Sequence, residues 1–152
     1  METGVPGEER SNTVKIINER IRLKTKGSGD LLDITREVSR LIKESDLRKG
    51  NVLVFVIGST AGITTLEYEP GLIADITQFY EEMAPSDRHY LHDETWGDAN
   101  GFSHIRGSFT GPSLTIPFEE GIPLLGTWQQ VVLAEFDNRP RNREVVVQII
   151  GE

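Results

Sequence analysis

The sequence predicts an α+β fold, a compact single domain built as a mostly antiparallel β-sandwich with two helices. Three observations lead there. Residues 30–47 and 69–85 carry apolar side chains at helical spacing. The other apolar stretches alternate in polarity or are rich in β-branched residues. Four of these stretches follow one another in the second half with only turn signals between them. That order favours hairpins over a regular strand-helix-strand alternation.

Residues 1–12 are polar, with Gly4, Pro6 and Gly7, and read as a flexible leader before a domain at 13–152. In residues 13–25, Ile17, Ile21 and Leu23 alternate with Arg20, Arg22 and Lys24, a strand pattern. After the break "KGSG", residues 30–47 place Leu31, Ile34, Val38, Leu41 and Ile42 on one helical face, with Asp30 positioned to cap the first turn. "NVLVFVIGSTAG" (51–62) is continuously apolar up to a glycine, as in a strand buried on both faces, and "ITTLE" (63–67) reads as a short second strand. Residues 69–85 form the second helix, with Pro70 at its start and Pro85 at its end. The polar-aromatic stretch "SDRHYLHDETWGDANG" reads as a long loop, a kind of segment that often carries function. "FSHIRGSF", "PSLTIPF", "TWQQVVLAEF" and "REVVVQIIGE" complete the strands.

Composition narrows the function. The chain has 152 residues, enough for one domain with a real core. Its net charge of −8 argues against a broad nucleic-acid surface, which needs cations to displace counterions. It leaves room for a local basic pocket, because Arg88, Arg106, Arg139, Arg141 and Arg143 gather in the second half; pairing with surface carboxylates is the other reading. The absence of cysteine excludes disulfides, zinc-thiolate sites and thiol nucleophiles. No apolar run approaches the ~20 residues that span a membrane, and no secretory h-region is visible, so a cytoplasmic address is expected.

Chemistry then rests on few residues. As a strand, "FSHIRGS" would put His104 and Arg106 on one face, suited to a base, a ligand or an anion contact. A solvated outer face with a satisfied histidine is the plainer alternative. His92, Asp93, Glu94, Asp98 and Asn100 lie close upstream, but their spacing matches no standard zinc signature. "DANG" shares only the opening of a calcium loop. "IGSTAGIT" can present Ser59, Thr60 and backbone N–H groups to phosphate, yet lacks the Walker lysine. No G-x-S-x-G elbow is present. Glu67 and Glu135, on strands of mixed to apolar character, must be either partnered or catalytic.

"STAGITTLE", "HDETWGDANGFSHIRGSFTGPSLTIPFEEGIPLLGTWQQVVLAEFD" and "VVVQIIGE" resemble the YjbQ-like family, also called secondary thiamine-phosphate synthases. The likeness runs from about residue 13 to the end. It implies the YjbQ-like fold, a homotrimer with pockets near subunit contacts, and a secondary activity that joins hydroxymethylpyrimidine diphosphate to a thiazole phosphate with release of pyrophosphate. The family pattern matches Asn100, Gly101 and His104; Tyr90, His92 and Asp93; Glu67; and Gly126 to Gln129. The resemblance also implies a departure, since Gly58 stands where many relatives carry a histidine, so a three-histidine centre is not available within this chain.

The catalytic candidates are therefore His92, Asp98, His104 and Glu67, with Ser59, Thr60 and Arg106 holding an anionic group. His92 and His104 are the candidate ligands of a divalent metal, Zn²⁺ or Mg²⁺. The expected partner is a phosphorylated small molecule, with neither nucleic acid nor membrane. The alternative is a non-catalytic trimeric protein that binds a metal or a metabolite at the same cluster.

Overall fold

The structure, a computed structural model, describes residues 13–152. The expected leader lies outside the described residues. Among the described residues, eight strands form two antiparallel sheets with a core between them, and four helices accompany them. The five-stranded sheet has the order β1-β8-β3-β5-β6, from Lys15–Lys24, Asn142–Gly151, Lys49–Val56, Ser113–Glu119 and Ile122–Pro123. The three-stranded sheet has the order β2-β7-β4, from Leu31–Asp33, Gln130–Glu135 and Ala61–Leu66.

Alternation explains most of this. In β1 the Ile21 side chain turns inward, while Arg20 and Arg22 reach Glu144 of β8 at 2.8 and 3.3 Å. Val52, Val54 and Val56 of β3 and Val145, Val147 and Ile149 of β8 are fully enclosed against Ile63, Val131 and Leu133 of the smaller sheet. Helix α1 (Thr35–Glu44) adds Val38, Leu41 and Ile42 to the same core. Helix α2 (Pro70–Met83) covers the outer face of the smaller sheet, where Ile73, Ile76 and Tyr80 pack on Val132, Ala134 and Phe136. Glu69 caps α2 by accepting from the N–H groups of Gly71 and Leu72.

The expected strand buried on both faces is β7 rather than β3. Phe55 of β3 is 37% exposed, whereas β7 sends Val131 and Leu133 into one core and Val132 and Ala134 into the other. The helix expected from residue 30 begins only at Thr35, because Leu31–Asp33 pairs with β7 as β2. Asp30 therefore does not cap it, and its carboxylate accepts from the Lys26 N–H at 2.8 Å.

The larger correction concerns residues 86–110. The expected loop contains helix α3 (Leu91–Trp96), and the expected strand "FSHIRGSF" is helix α4 (Gly101–Thr110). Among the described residues the sandwich therefore carries four helices, not two. Helix α4 lies directly on the turn into β4: a Cβ at Gly107 would stand 3.1 Å from the carbonyl oxygens of Ser59 and Ala61. Glycine and serine are weak helix formers, so this close packing, rather than propensity, holds the helix. No helix among the described residues is long and apolar enough to cross a membrane.

Candidate functional site

Three segments meet at one end of the smaller sheet: the β3–β4 turn at residues 57–60, the α3–α4 pair, and the start of β8. Asp93 ties the two short helices together, accepting from the N–H of Tyr90 at 3.0 Å and of Gly101 at 2.9 Å. Burial pushes its carboxyl up, but the Gly101 and Tyr90 donors outweigh that and hold it below the usual aspartate range. Asn138 fixes the link between them, donating to the carbonyls of Asp98 and Ala99 at 2.8 and 3.3 Å.

This arrangement brings His92 and His104 together, with ring centroids 4.2 Å apart and a 49° tilt. Burial, reinforced by His92, depresses the His104 pKa below its ordinary 6.5, against the opposing pull of Asp98 and Asp137. His104 is thus a neutral imidazole at pH 7, able to accept or donate one hydrogen bond. Asp98 Oδ1 lies 3.9 Å from His92 Nε2, too far for a direct hydrogen bond.

The opposite wall is a buried ionic network. Arg143 donates through Nε and Nη2 to both oxygens of Glu135, at 2.7 and 2.6 Å, and through Nη2 to the Thr60 hydroxyl at 2.7 Å. Thr25 donates to Glu135 at 2.8 Å, and Thr60 to Asp137 at 3.0 Å. Arg141 donates to Asp137 through Nε at 2.7 Å. Burial raises the Asp137 carboxyl, but Arg141 and Thr60 override it and keep it ionised. Glu135 and Asp137 are completely enclosed, and Arg143 is 7% exposed. The third guanidinium nitrogen, Nη1, abuts Gly58: a Cβ there would lie 2.6 Å from it, and Gly58 has φ +155°. The space beside residue 58 belongs to an arginine from β8.

Between these walls lies a polar pocket of about 420 Å³. Gly58, Ser59 and Thr60 form one side, with Arg141 and Arg143; His92, Asp98, Asn100 and His104 form the other. Buried His92 Nε2 and Asn100 Oδ1 have no hydrogen-bond partner among the described residues. Such atoms cost about 1–3 kcal/mol each unless a ligand satisfies them.

The structure thus gathers His92, Asp98, His104, Ser59 and Thr60, but not the other two candidates. Glu67 is exposed just beyond the far end of β4, seven residues from Thr60, or about 20 Å at strand rise. Arg106 points away. On a helix, residues two apart face nearly opposite sides, so His104 and Arg106 diverge. Arg106 is 3% exposed and spent on the Ala84 carbonyl (3.0 and 2.7 Å), on Glu81 at 2.6 Å, and on the Phe102 ring. Thr60 uses its hydroxyl within the ionic network, leaving Ser59 as the freer hydroxyl. Arg141 and Arg143 supply the cations that Arg106 does not. Their signal was the charged "NRPRNR" run beside Glu135, a carboxylate that proves to be partnered.

A metal has a partial fit. The unpartnered His92 nitrogen beside a neutral His104 suits a cation, but no three His, Asp or Glu side chains among the described residues are placed to hold one.

The model of the family described as UPF0047 protein YjbQ-like matches residues 19–152. The chain belongs to this family. A UPF0047 protein of Methanocaldococcus jannaschii is 40% identical over 134 residues, 88% of this chain and 94% of that one. The crystal structure of a YbjQ-like protein from Sulfolobus solfataricus superposes with a TM-score of 0.86 at 32% identity, covering 92% of this chain and all of that one. A YjbQ/UPF0047 family protein of Clostridium acetobutylicum gives 0.77 at 34% identity, covering 86% and 98%. Both of these structures are of proteins described as having unknown or uncharacterised function.

Proposed function

We propose that the pocket binds the phosphate groups of a small molecule and serves a thiamine-phosphate-synthase type of condensation. The observation that carries this reading is the seating of Arg143 against Gly58, across the pocket from two adjoined imidazoles. In that reaction the carbon–oxygen bond of hydroxymethylpyrimidine diphosphate breaks, and its electron pair leaves on pyrophosphate. The lone pair of the thiazole nitrogen forms the new carbon–nitrogen bond, so no proton has to move at that nitrogen. What the step needs is stabilisation of the departing anion. Arg143 Nη1, Arg141 and the Ser59 hydroxyl are the donors for it, and the His104 N–H holds a phosphate oxygen. A divalent ion, Zn²⁺ or Mg²⁺, bound at His92 and His104 would supply further positive charge, with its remaining ligands drawn from the substrate or a neighbouring copy. The homotrimer belongs to the same proposal.

The test is formation of thiamine phosphate by the purified protein. His104→Ala should lower turnover on the order of a hundredfold, the scale for one transition-state donor. Unchanged turnover in that variant would remove His104 from the mechanism.

One observation favours a second reading, that of a binding protein without turnover. The pocket's cations are already paired, Arg143 with Glu135 and Arg141 with Asp137, and Asp98 adds a third carboxylate. Such a site holds an anion through directed N–H groups but offers little surplus charge to a leaving group. Pyrophosphate raising the melting temperature of a protein that forms no product would establish this second reading.

A further inference from the structure

Asn100 is the asparagine of this chain that is followed by glycine; the others are followed by Thr, Glu, Val or Arg. An Asn-Gly pair carries its own nucleophile and electrophile. When the glycine nitrogen gives up its proton to solvent base, its electron pair attacks the asparagine Cγ. The new C–N bond closes a five-membered succinimide, and the Cγ–Nδ2 bond breaks with departure of ammonia. Water then opens the ring at either carbonyl, leaving aspartate or, with the main chain rerouted through the side chain, isoaspartate. Glycine makes the pair reactive because no Cβ shields its nitrogen.

The fold requires this pair and restrains it. A Cβ at residue 101 would stand 2.5 Å from Tyr90 Cβ, so only glycine fits where α4 starts. Asn100 is 4% exposed and lines the polar pocket. Asp93 stops the reaction at its first step, because its Oδ1 accepts from the Gly101 N–H at 2.9 Å. That bond holds the proton on the nitrogen and the nitrogen in place. Ring closure needs the Gly101 amide to turn about the Asn100 Cα–C bond, away from its ψ of 21°. Turning it breaks the Asp93 bond and carries off the Asn100 carbonyl, which accepts from the Ser103 N–H at 2.9 Å. The restraint sits on a weak element, since α3 buries none of its residues.

We infer that Asn100–Gly101 is a latent deamidation site and that Asp93 is its guard. The site opens when α3 lifts from the start of α4. Aspartate at position 100 then adds a carboxylate to the pocket wall that already holds Asp98. Isoaspartate lengthens the main chain by one carbon between His92 and His104, and so parts the two imidazoles. The inference stands apart from the identity of any ligand.

The experiment is incubation of the purified full chain in mildly alkaline buffer, native and in urea, followed by tryptic digestion and mass spectrometry. The tryptic peptide 89–106 carries Asn100 as its sole side-chain amide, so a change from amide to carboxylate mass reports this site alone. The unfolded chain should convert readily and the native protein far more slowly. Asp93→Ala, with folding followed by circular dichroism, should convert about tenfold faster than the native protein, the scale for losing one hydrogen bond to a charged group. In the native protein, conversion should rise with urea below the unfolding transition, in step with hydrogen exchange of the Gly101 N–H. That second measurement needs no variant and decides the matter should Asp93→Ala unfold. A native protein that converts as fast as the unfolded chain, or a folded Asp93→Ala that converts no faster than the native protein, would overturn the guard. So would conversion that begins only with global unfolding.

Discussion

His104 carries a consequence that can be read in solution without a ligand. Its pKa is lowered in the folded protein by burial and by His92, so the unfolded chain takes up a proton at a higher pH than the folded one does. The contribution is therefore fully present above pH 6.5, the ordinary histidine value, and is lost as pH falls toward and through the folded value. His104→Gln, which cannot titrate, should flatten the fall in melting temperature between pH 7 and pH 5. Parallel curves for the two proteins would show that His104 is protonated equally in both states. At this scale, of the residues singled out in the sequence, the two histidines, Asp98 and the Ser59–Thr60 turn line one pocket. The sequence misplaced Arg106, because alternation and helical spacing send that side chain to different sides of the backbone. It placed Glu67 by resemblance, where the strand runs it away from the pocket.

At the scale of elements, the sandwich was legible where one face is buried and the other wet. Such alternation gave β1 and β8, and Pro70 gave the start of α2. It failed for α4, whose glycines and serines carry no helical signal and whose order comes from lying on β4 and the turn before it. The two-sided burial expected of β3 belongs to β7 for a related reason: short apolar runs do not state how many layers cover them. The β7–β8 pairing of charges is the element on which the pocket wall depends. Arg143→Met would leave Glu135 buried without its cation, a change that costs about 3–5 kcal/mol. A fall in melting temperature on the order of 10 °C is expected by circular dichroism. Adding Glu135→Met should recover part of that loss, since the unpaired charge is then gone. A single Arg143→Met variant that melts within about 2 °C of the native protein would refute the coupling.

For the whole molecule, the distribution of uncovered apolar side chains bears on assembly. One group lies on the segment between β5 and β7, where Ile122 is 64% exposed, Leu124 51% and Trp128 70%. Single exposed apolar residues are ordinary, but three within seven positions of one segment form a surface that a second chain can cover. A closed three-fold ring uses a heterologous contact, in which this patch meets a different surface on the next copy. That arrangement suits a segment whose own edge, β6, is only two residues long and cannot recruit a continuous sheet. The expected mass in solution is three chains. Trp128→Ser with Ile122→Ser changes only exposed positions, so it should dissociate the ring to single chains that still fold. The measurement is light scattering on both proteins, with circular dichroism to establish folding. A native protein that scatters as one chain would end the proposal. A double variant that stays trimeric would move the contact to another face, and a folded monomeric variant would fix it at this segment.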